Sequence, residues 1–150
     1  MRILVDADAC PVKNLIEKIA KELKIPVIMF VDTSHVLKSD YSEIVIVSKA
    51  PDAVDFVLIN NSEKGDVIVT QDYGVAAMAL GKGAYAIHPN GKVYTDFNID
   101  MMLAQRHAAR VNRMAGNKPY KQQKRRINTD DNNFYDSFYE LCEKALNQQK

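Results

Sequence analysis

Five short apolar runs alternate along the chain with segments of helical periodicity, and this alternation restricts the fold more than any other feature. The runs are RILV at 2–5, PVIMFV at 26–31, SEIVIVSK at 42–49, DVIVT at 66–70 and AYAIH at 84–88. Nearly continuous apolar residues are typical of strands that are buried on both faces. Strands joined through helices run parallel, because a parallel pair needs a crossover connection. The pattern predicts a three-layer α/β/α fold with a mainly parallel central sheet of about five strands.

The connecting segments have the signals expected of helices. Helices are predicted from Pro11 to Lys24, at 51–62 and at 73–83, and HPNGKVY after the fifth strand predicts a turn into a marginal sixth edge strand. A chain of 150 residues with 47% hydrophobic residues suits one core. We therefore predict a single domain over 1–150, with a basic helix and loop at 99–129 and a terminal amphipathic helix at 131–148. That last helix is compatible with packing on its own body and with a homo-oligomer.

Acidic residues follow two of the predicted strands. Asp6 and Asp8 come directly after the first strand, and Asp72 follows the fourth. If the strand order is the 3-2-1-4-5 of doubly wound sheets, strands 1 and 4 are neighbours and ligands bind at their carboxyl ends, where the order reverses. We therefore expect Asp6, Asp8 and Asp72 to converge there.

Each acid has a structural alternative except Asp6. Asp8 and Asp72 both stand where a carboxylate can cap the following helix. Asp55 interrupts AVDFVLI, a helix that is apolar nearly all round and is expected to be buried. A buried carboxylate needs a hydrogen bond, an ion pair or a metal. Capping does not explain Asp6, so this residue is the strongest functional candidate.

Several carboxylates at one strand end predict a divalent cation. Close carboxylates do not all stay ionised unaided, whereas their hard oxygens suit Mg²⁺ or Mn²⁺. Such an ion activates water and neutralises phosphate oxygens, which favours phosphodiester hydrolysis. The candidate catalytic and metal-binding residues are Asp6, Asp8, Asp55 and Asp72.

The net charge of +1 conceals a basic arm. No acid lies between Asp100 and Asp130, but eight of the 20 Lys and Arg residues do, which leaves 12 against all 19 acids elsewhere. Clustered cations of this kind favour nucleic-acid binding; the alternative is a solvated helix face or ion pairs with acids of the body. The candidate nucleic-acid-binding residues are Arg106, Arg110, Arg113, Lys121, Lys124, Arg125 and Arg126.

The cysteines and the hydropathy pattern point to a cytoplasmic protein with free thiols. Cys10 and Cys142 lie far apart and lack the spacing of a zinc site, and no apolar run is long enough for a membrane span or a secretory segment. Cys10, next to a helix N-terminus, could be a packing residue or a reactive thiol.

Several segments closely resemble the YaiI/YqxD family of bacterial proteins, whose biochemical role is not established. These segments are DADACPV, DAVDFVLI, GDVIVTQDYGVAAMALGKGA, HPNGKVYT and RHAARVNRMAG. The family is in turn similar to PIN-like nucleases, which hold a divalent metal with acids after strand 1, in a mid-chain helix and after strand 4. The resemblance implies a PIN-like domain with Asp6, Asp8, Asp55 and Asp72 as metal ligands. A further mid-chain glutamate, common in PIN nucleases, has no counterpart in this chain.

The sequence thus predicts a divalent-metal-dependent nuclease, with RNA favoured over DNA as its partner and no membrane partner. One alternative is a phosphatase of the haloacid dehalogenase type, because ILVDADAC resembles the nucleophile strand of that class, with Cys10 in place of the usual Thr or Val. The other is a non-catalytic nucleic-acid-binding protein whose acids hold a structural ion.

Overall fold

The computed structural model describes residues 1–8, 10–116 and 128–149, without the side chains of Arg106 and Asn128. The strands are β1 (Ile3–Asp6), β2 (Val27–Asp32), β3 (Glu43–Val47), β4 (Val67–Val69), β5 (Tyr85–Ile87) and β6 (Val93–Tyr94). The helices are α1 (Lys13–Leu23), α2 (Ala53–Asn61), α3 (Tyr73–Gly81), α4 (Asp96–Met114) and α5 (Asn128–Gln148). The predicted elements are therefore present, with ends that shift by a few residues.

All six strands form one sheet in the order β3-β2-β1-β4-β5-β6. The first five are parallel, and only β6 runs antiparallel, beside β5. In the central strand, Val5 pairs with Met29 of β2 on one side and with Val69 of β4 on the other. The predicted 3-2-1-4-5 order is confirmed, and the marginal sixth strand lies at the sheet edge.

Helices cover both faces of the sheet. Residues Ile3 and Val5 of β1 face a core that α1 and α5 cover, whereas Leu4 faces a core covered by α2, α3 and α4. All three strand residues are fully buried. Alternate side chains of one strand thus enter two separate cores, which explains the continuous apolar runs and confirms the three-layer α/β/α class.

The terminal helix packs on its own chain. Phe134 and Phe138 of α5 are fully buried in the core shared with α1, and their rings stack with centroids 5.0 Å apart. The sequence is compatible with packing of this helix on its own body and with packing on a second copy. In the structure, the face that carries Phe134 and Phe138 packs on its own body.

Helix α2 is less buried than its apolar composition predicts. Only Leu58 is fully buried, Asp55 is half-buried, and Phe56 is 67% exposed. The expectation of a helix buried nearly all round is wrong, because α2 lies in an outer layer and only one stripe of it faces the sheet.

Helix α4 is buried only in its first half. Ile99 and Met102 pack into the core, whereas Val111 and Met114 are 48% and 80% exposed. The apolar spacing along the whole helix therefore predicts more contact with the sheet layer than α4 makes in its second half. Among the described residues, no helix combines the length and apolarity that a membrane crossing requires.

The turn between β5 and β6 fits closely against α5 and supplies a stability test. Gly91 has a φ of +97°, and a Cβ there would lie 2.7 Å from the backbone carbonyl carbon of Asn133. We expect Gly91→Ala to lower the free energy of unfolding by about 1–3 kcal/mol, through backbone strain and displacement of α5. Urea unfolding followed by circular dichroism measures this change.

Gly81, at the end of α3, is the matched control, because a Cβ there meets nothing within 4 Å. Gly81→Ala should leave stability unchanged or raise it by about 0.5–1 kcal/mol. A Gly91→Ala protein with the wild-type unfolding midpoint would contradict the close packing of the turn on α5.

Candidate metal centre

Asp6 ends β1 and lies at the centre of the predicted acids. It is half-buried, and its Oδ2 accepts a hydrogen bond from Thr70 Oγ1 at 3.3 Å. Burial, as the largest cause, and the charges of Asp55, Asp8 and Asp72 together raise the pKa of Asp6 to about 6, against the opposing hydrogen bond from Thr70. The four acids predicted from sequence are therefore near enough for three of them to act electrostatically on the fourth.

Asp72 follows β4 and caps α3. Its Oδ1 accepts hydrogen bonds from the backbone N–H groups of Gly74 and Val75, at 2.7 and 3.2 Å. The capping role considered for Asp72 is therefore confirmed. Capping does not exclude Asp72 from the candidate site, since Asp72 also lines a cleft of about 320 Å³ with Asp6, Gln71 and Tyr73.

Thr70 connects Asp6 to Asp72 and was missed as a site residue in the sequence. Its side chain donates to Asp6 and accepts from the backbone N–H of Asp72 at 3.0 Å. The Thr70 carbonyl accepts from the Tyr94 hydroxyl at 3.2 Å, and both residues are buried. The position of Thr70, directly after a buried strand and two residues before an acid, was the available signal.

Asp8 points towards the end of β2 instead of capping α1. Both of its carboxylate oxygens accept from the backbone N–H of Asp32 at 3.2 Å, and its Oδ1 lies 3.0 Å from His35 Nδ1. Helix α1 begins after Val12 with no side-chain cap. The capping alternative for Asp8 is therefore wrong.

Asp8, Asp32 and His35 form a second group of potential ligands. One donor atom from each residue lies within 4.8 Å of the others. Asp32 accepts hydrogen bonds from the side chain and backbone N–H of Ser34, and these bonds lower its pKa. Neither Asp32 nor His35 is among the ligands predicted from the sequence, because their approach to Asp8 depends on β2 pairing with β1.

Asp55 lies in the first turn of α2 and is the strongest charged neighbour of Asp6. With Asp72 it lines a cleft of about 240 Å³, whose wall also includes Asp52, Phe56 and Met78. Asp52 stands at the N-cap of α2 in a left-handed backbone conformation, φ +63°, and its side chain makes no capping hydrogen bond. The cleft thus joins carboxylates to an apolar rim.

The loop that carries Asp8 is held by Lys13. Its ammonium donates to the carbonyl oxygens of Ala7 and Cys10, at 3.2 and 2.8 Å. Cys10 is 4% exposed and contributes to the core with α1 and α5, as a packing residue would. Cys142 is also buried, and burial raises the pKa of its thiol to about 12.

The predicted nucleic-acid-binding residues lie partly within the described chain. Arg110 and Arg113 are exposed on the second half of α4, and Arg106 belongs to the same helix. The remaining candidates, Lys121, Lys124, Arg125 and Arg126, lie outside the described residues. The visible part of the basic arm is thus a solvent-facing helix.

Residues 4–144 match the family model described as "Uncharacterized BCR, YaiI/YqxD family". A UPF0178 protein of Lachnoclostridium phytofermentans is 59% identical over 143 residues, which cover 94% of this chain and 96% of that protein. UPF0178 proteins of Clostridium acetobutylicum and Clostridium tetani are 55% and 48% identical, with coverage of 94% and 97% of this chain and 96% and 99% of theirs. The similarity therefore spans the sheet, the acids and the terminal helix.

The raised pKa of Asp6 predicts how the stability of the metal-free protein depends on pH. Because the folded state holds the Asp6 proton up to about pH 6, and the unfolded chain releases it near the ordinary carboxyl pKa of about 4, unfolding becomes easier as pH rises from about 4 to 6 and the loss is complete above that. The loss contributed by Asp6 is about 2–3 kcal/mol once the pH is above 6. Asp6→Asn should remove this loss of unfolding free energy. At pH 8 in EDTA it should therefore unfold at a higher urea concentration than the wild type.

Exposed Asp40 supplies the control, since Asp40→Asn should follow the wild type at both pH values. Equal destabilisation of Asp6→Asn at pH 4.5 and pH 8 would show that the ionised carboxylate carries no such cost.

Proposed function

The chain belongs to the YaiI/YqxD family, and we propose that it is a divalent-metal-dependent nuclease that hydrolyses phosphodiester bonds, with RNA as the favoured substrate. The observation that carries the proposal is the environment of Asp6. A half-buried carboxylate at the carboxyl end of the central strand has three further carboxylates as electrostatic neighbours. This arrangement costs free energy in the metal-free protein, and a cation would remove the cost.

The carboxylate oxygens suit Mg²⁺ or Mn²⁺ chemically. Among the described residues, the group whose donor atoms already lie within 4.8 Å of one another is Asp8, Asp32 and His35, so a cation would have to draw Asp6, Asp55 and Asp72 together. Asp6, Asp55 and Asp72 offer only carboxylate oxygens, which hard divalent cations prefer, and Asp8 stands close enough to raise the pKa of Asp6. We assign Asp6, Asp55 and Asp72 as ligands, with Asp8 as a ligand that would turn from its present contacts with Asp32 and His35. When bound, the ion would supply an acidified water and neutralise charge on the phosphate oxygens.

Residues around the acids keep them in position. Thr70 orients Asp6 through its hydroxyl and holds the backbone of Asp72, while the N-terminus of α3 fixes Asp72 Oδ1. Lys13 fastens the loop between Asp6 and α1. These contacts reduce the motion of the carboxylates, and preorganised ligands favour the attack geometry over a mobile cluster.

The basic arm supports a polyanionic substrate. Arg110 and Arg113 are exposed, and the arm between Asp100 and Asp130 contains no acid to neutralise them locally. Contacts of this kind bind phosphates without reading sequence. They distinguish a nucleic-acid substrate from a small phosphomonoester, which would need only the acidic centre.

Removal of one carboxylate tests the centre. Asp6→Asn and Asp72→Asn should each lower kcat/KM for a short RNA in Mg²⁺ or Mn²⁺ by about 100-fold or more, because the ion loses a charged ligand. Asparagine still caps a helix, so Asp72→Asn is expected to keep α3 intact. Cleavage of labelled RNA, single-stranded DNA and a phosphomonoester measures the activity, and calorimetry with Mn²⁺ measures the ion.

Asp40→Asn serves as the unchanged control, because Asp40 is exposed and takes part in none of the contacts described above. Turnover of the monoester alone would indicate the phosphatase, and nucleic-acid binding without cleavage in either metal would indicate the non-catalytic alternative. Either result would refute the nuclease.

The salt dependence of binding tests the basic helix. If Arg110 and Arg113 each contact one phosphate of a single strand, Arg110→Ala with Arg113→Ala should reduce the slope of log K against log salt concentration by about 1.4. Fluorescence anisotropy of a labelled RNA between low and moderate salt gives the slope. An unchanged slope would mean that these arginines remain solvated in the complex.

A further inference from the structure

One helical layer carries most of the exposed large apolar side chains of the described residues. The layer of α1 and α5 has none of them. Val36 and Ile46 lie elsewhere, and the layer of α2, α3 and α4 carries Phe56, Met78, Phe97, Met101, Val111 and Met114. Of these six, Phe56 and Met78 line the cleft that contains Asp55 and Asp72. This part of the apolar surface is therefore continuous with the candidate metal centre.

Phe56 faces away from the core of its own domain. Leu58, two residues later in α2, is fully buried, and a two-residue step turns the helix by about 200°. The Phe56 ring is 67% exposed and follows Asp55 directly in the chain. Packing within the described fold therefore does not account for an aromatic ring at this position, and the residue lines the cleft.

The composition of the cleft restricts what can lie on that ring. Asp52, Asp55 and Asp72 make one part of the wall acidic, whereas Phe56 and Met78 make another part apolar. The carboxylates repel an acidic peptide, and an apolar lipid chain has no group that could interact favourably with them. A nucleotide unit matches both parts, because a cation held by the acids, as proposed above, would bind its phosphate, while its base is flat and uncharged.

We propose that Phe56, with Met78 beside it, is a stacking platform for one unpaired nucleobase adjacent to the phosphodiester at the acids. The inference rests on the proposed function and specifies its substrate class. A base inside a duplex is already stacked on both faces, so the platform selects single-stranded nucleic acid, including loops and ends. Every base has a flat face, so the platform is tolerant of sequence.

Four variants and two matched substrates test the platform. We expect Phe56→Ala to lower kcat/KM for a single strand about 10-fold, Phe56→Leu to behave similarly because it lacks the ring, and Phe56→Tyr to stay within about twofold of wild type. Phe97→Ala is the control, because Phe97 is 95% exposed on the same layer and does not line the cleft.

The second substrate is the same strand with abasic residues on both sides of the cleaved bond. Wild type should cleave it about 10-fold less efficiently, and Phe56→Ala should add no further loss, since the stacking partner is already absent. Mn²⁺ affinity, measured by calorimetry, should be equal in Phe56→Ala and wild type. If Phe56→Ala lowers kcat/KM equally on the ordinary and the abasic strand, or lowers it on neither, the platform is wrong while the nuclease proposal stands.

Two further results separate the platform from other readings of the same surface. If wild type cleaves no strand in Mg²⁺ or Mn²⁺, the proposed hydrolysis fails. In that case, about 10-fold weaker binding of single strands by Phe56→Ala, measured by fluorescence anisotropy, would still support the platform. Unchanged binding would overturn it. If Phe56→Ala converts a dimer to a monomer in sedimentation without changing strand binding, the ring belongs to a contact between two copies of the chain, and the platform is wrong.

Discussion

The pairing of β1 between β2 and β4 is the constraint on which the rest of the structure depends. This central position aligns Val5 with Met29 and Val69, so Asp6 ends its strand opposite Phe30 and within reach of Thr70, the residue after β4. A chain with the same residues and β1 at an edge would keep its helices but disperse its acids. The strand order therefore decides whether the carboxylates form a cluster.

The cluster brings two opposing requirements together. The apolar runs must be buried to form two cores, and burial beside like charges is what makes ionised Asp6 unfavourable. The fold offsets part of this cost with local hydrogen bonds from Thr70 to Asp6 and from the start of α3 to Asp72. A centre of this kind is less stable empty than filled, which couples the free energy of the fold to cation binding.

Particular residues show how far the sequence determines this picture. Continuous apolar runs predict the parallel sheet because the pattern lies within each strand, and the acids after the first and fourth strands predict the edge where chemistry is expected. Exposure of Phe56 was not predictable, since apolar composition does not say which face of α2 a sheet covers. The turn of Asp8 towards Asp32 and His35 depends on a strand pairing more than twenty residues away, and no local signal contains that contact. The assignment of ligands remains a prediction.

The position of α5 also affects how the protein can be made. Phe134 and Phe138 close the core beneath Ile3 and Val5, so this face of β1 is shielded from water only when α5, far away in the sequence, packs on it. Before α5 packs, β1 and α1 expose apolar surface, which makes a partly folded chain prone to aggregation. This core therefore depends on a contact between distant parts of the chain, and a chain truncated before α5 would leave Ile3 and Val5 uncovered on that face.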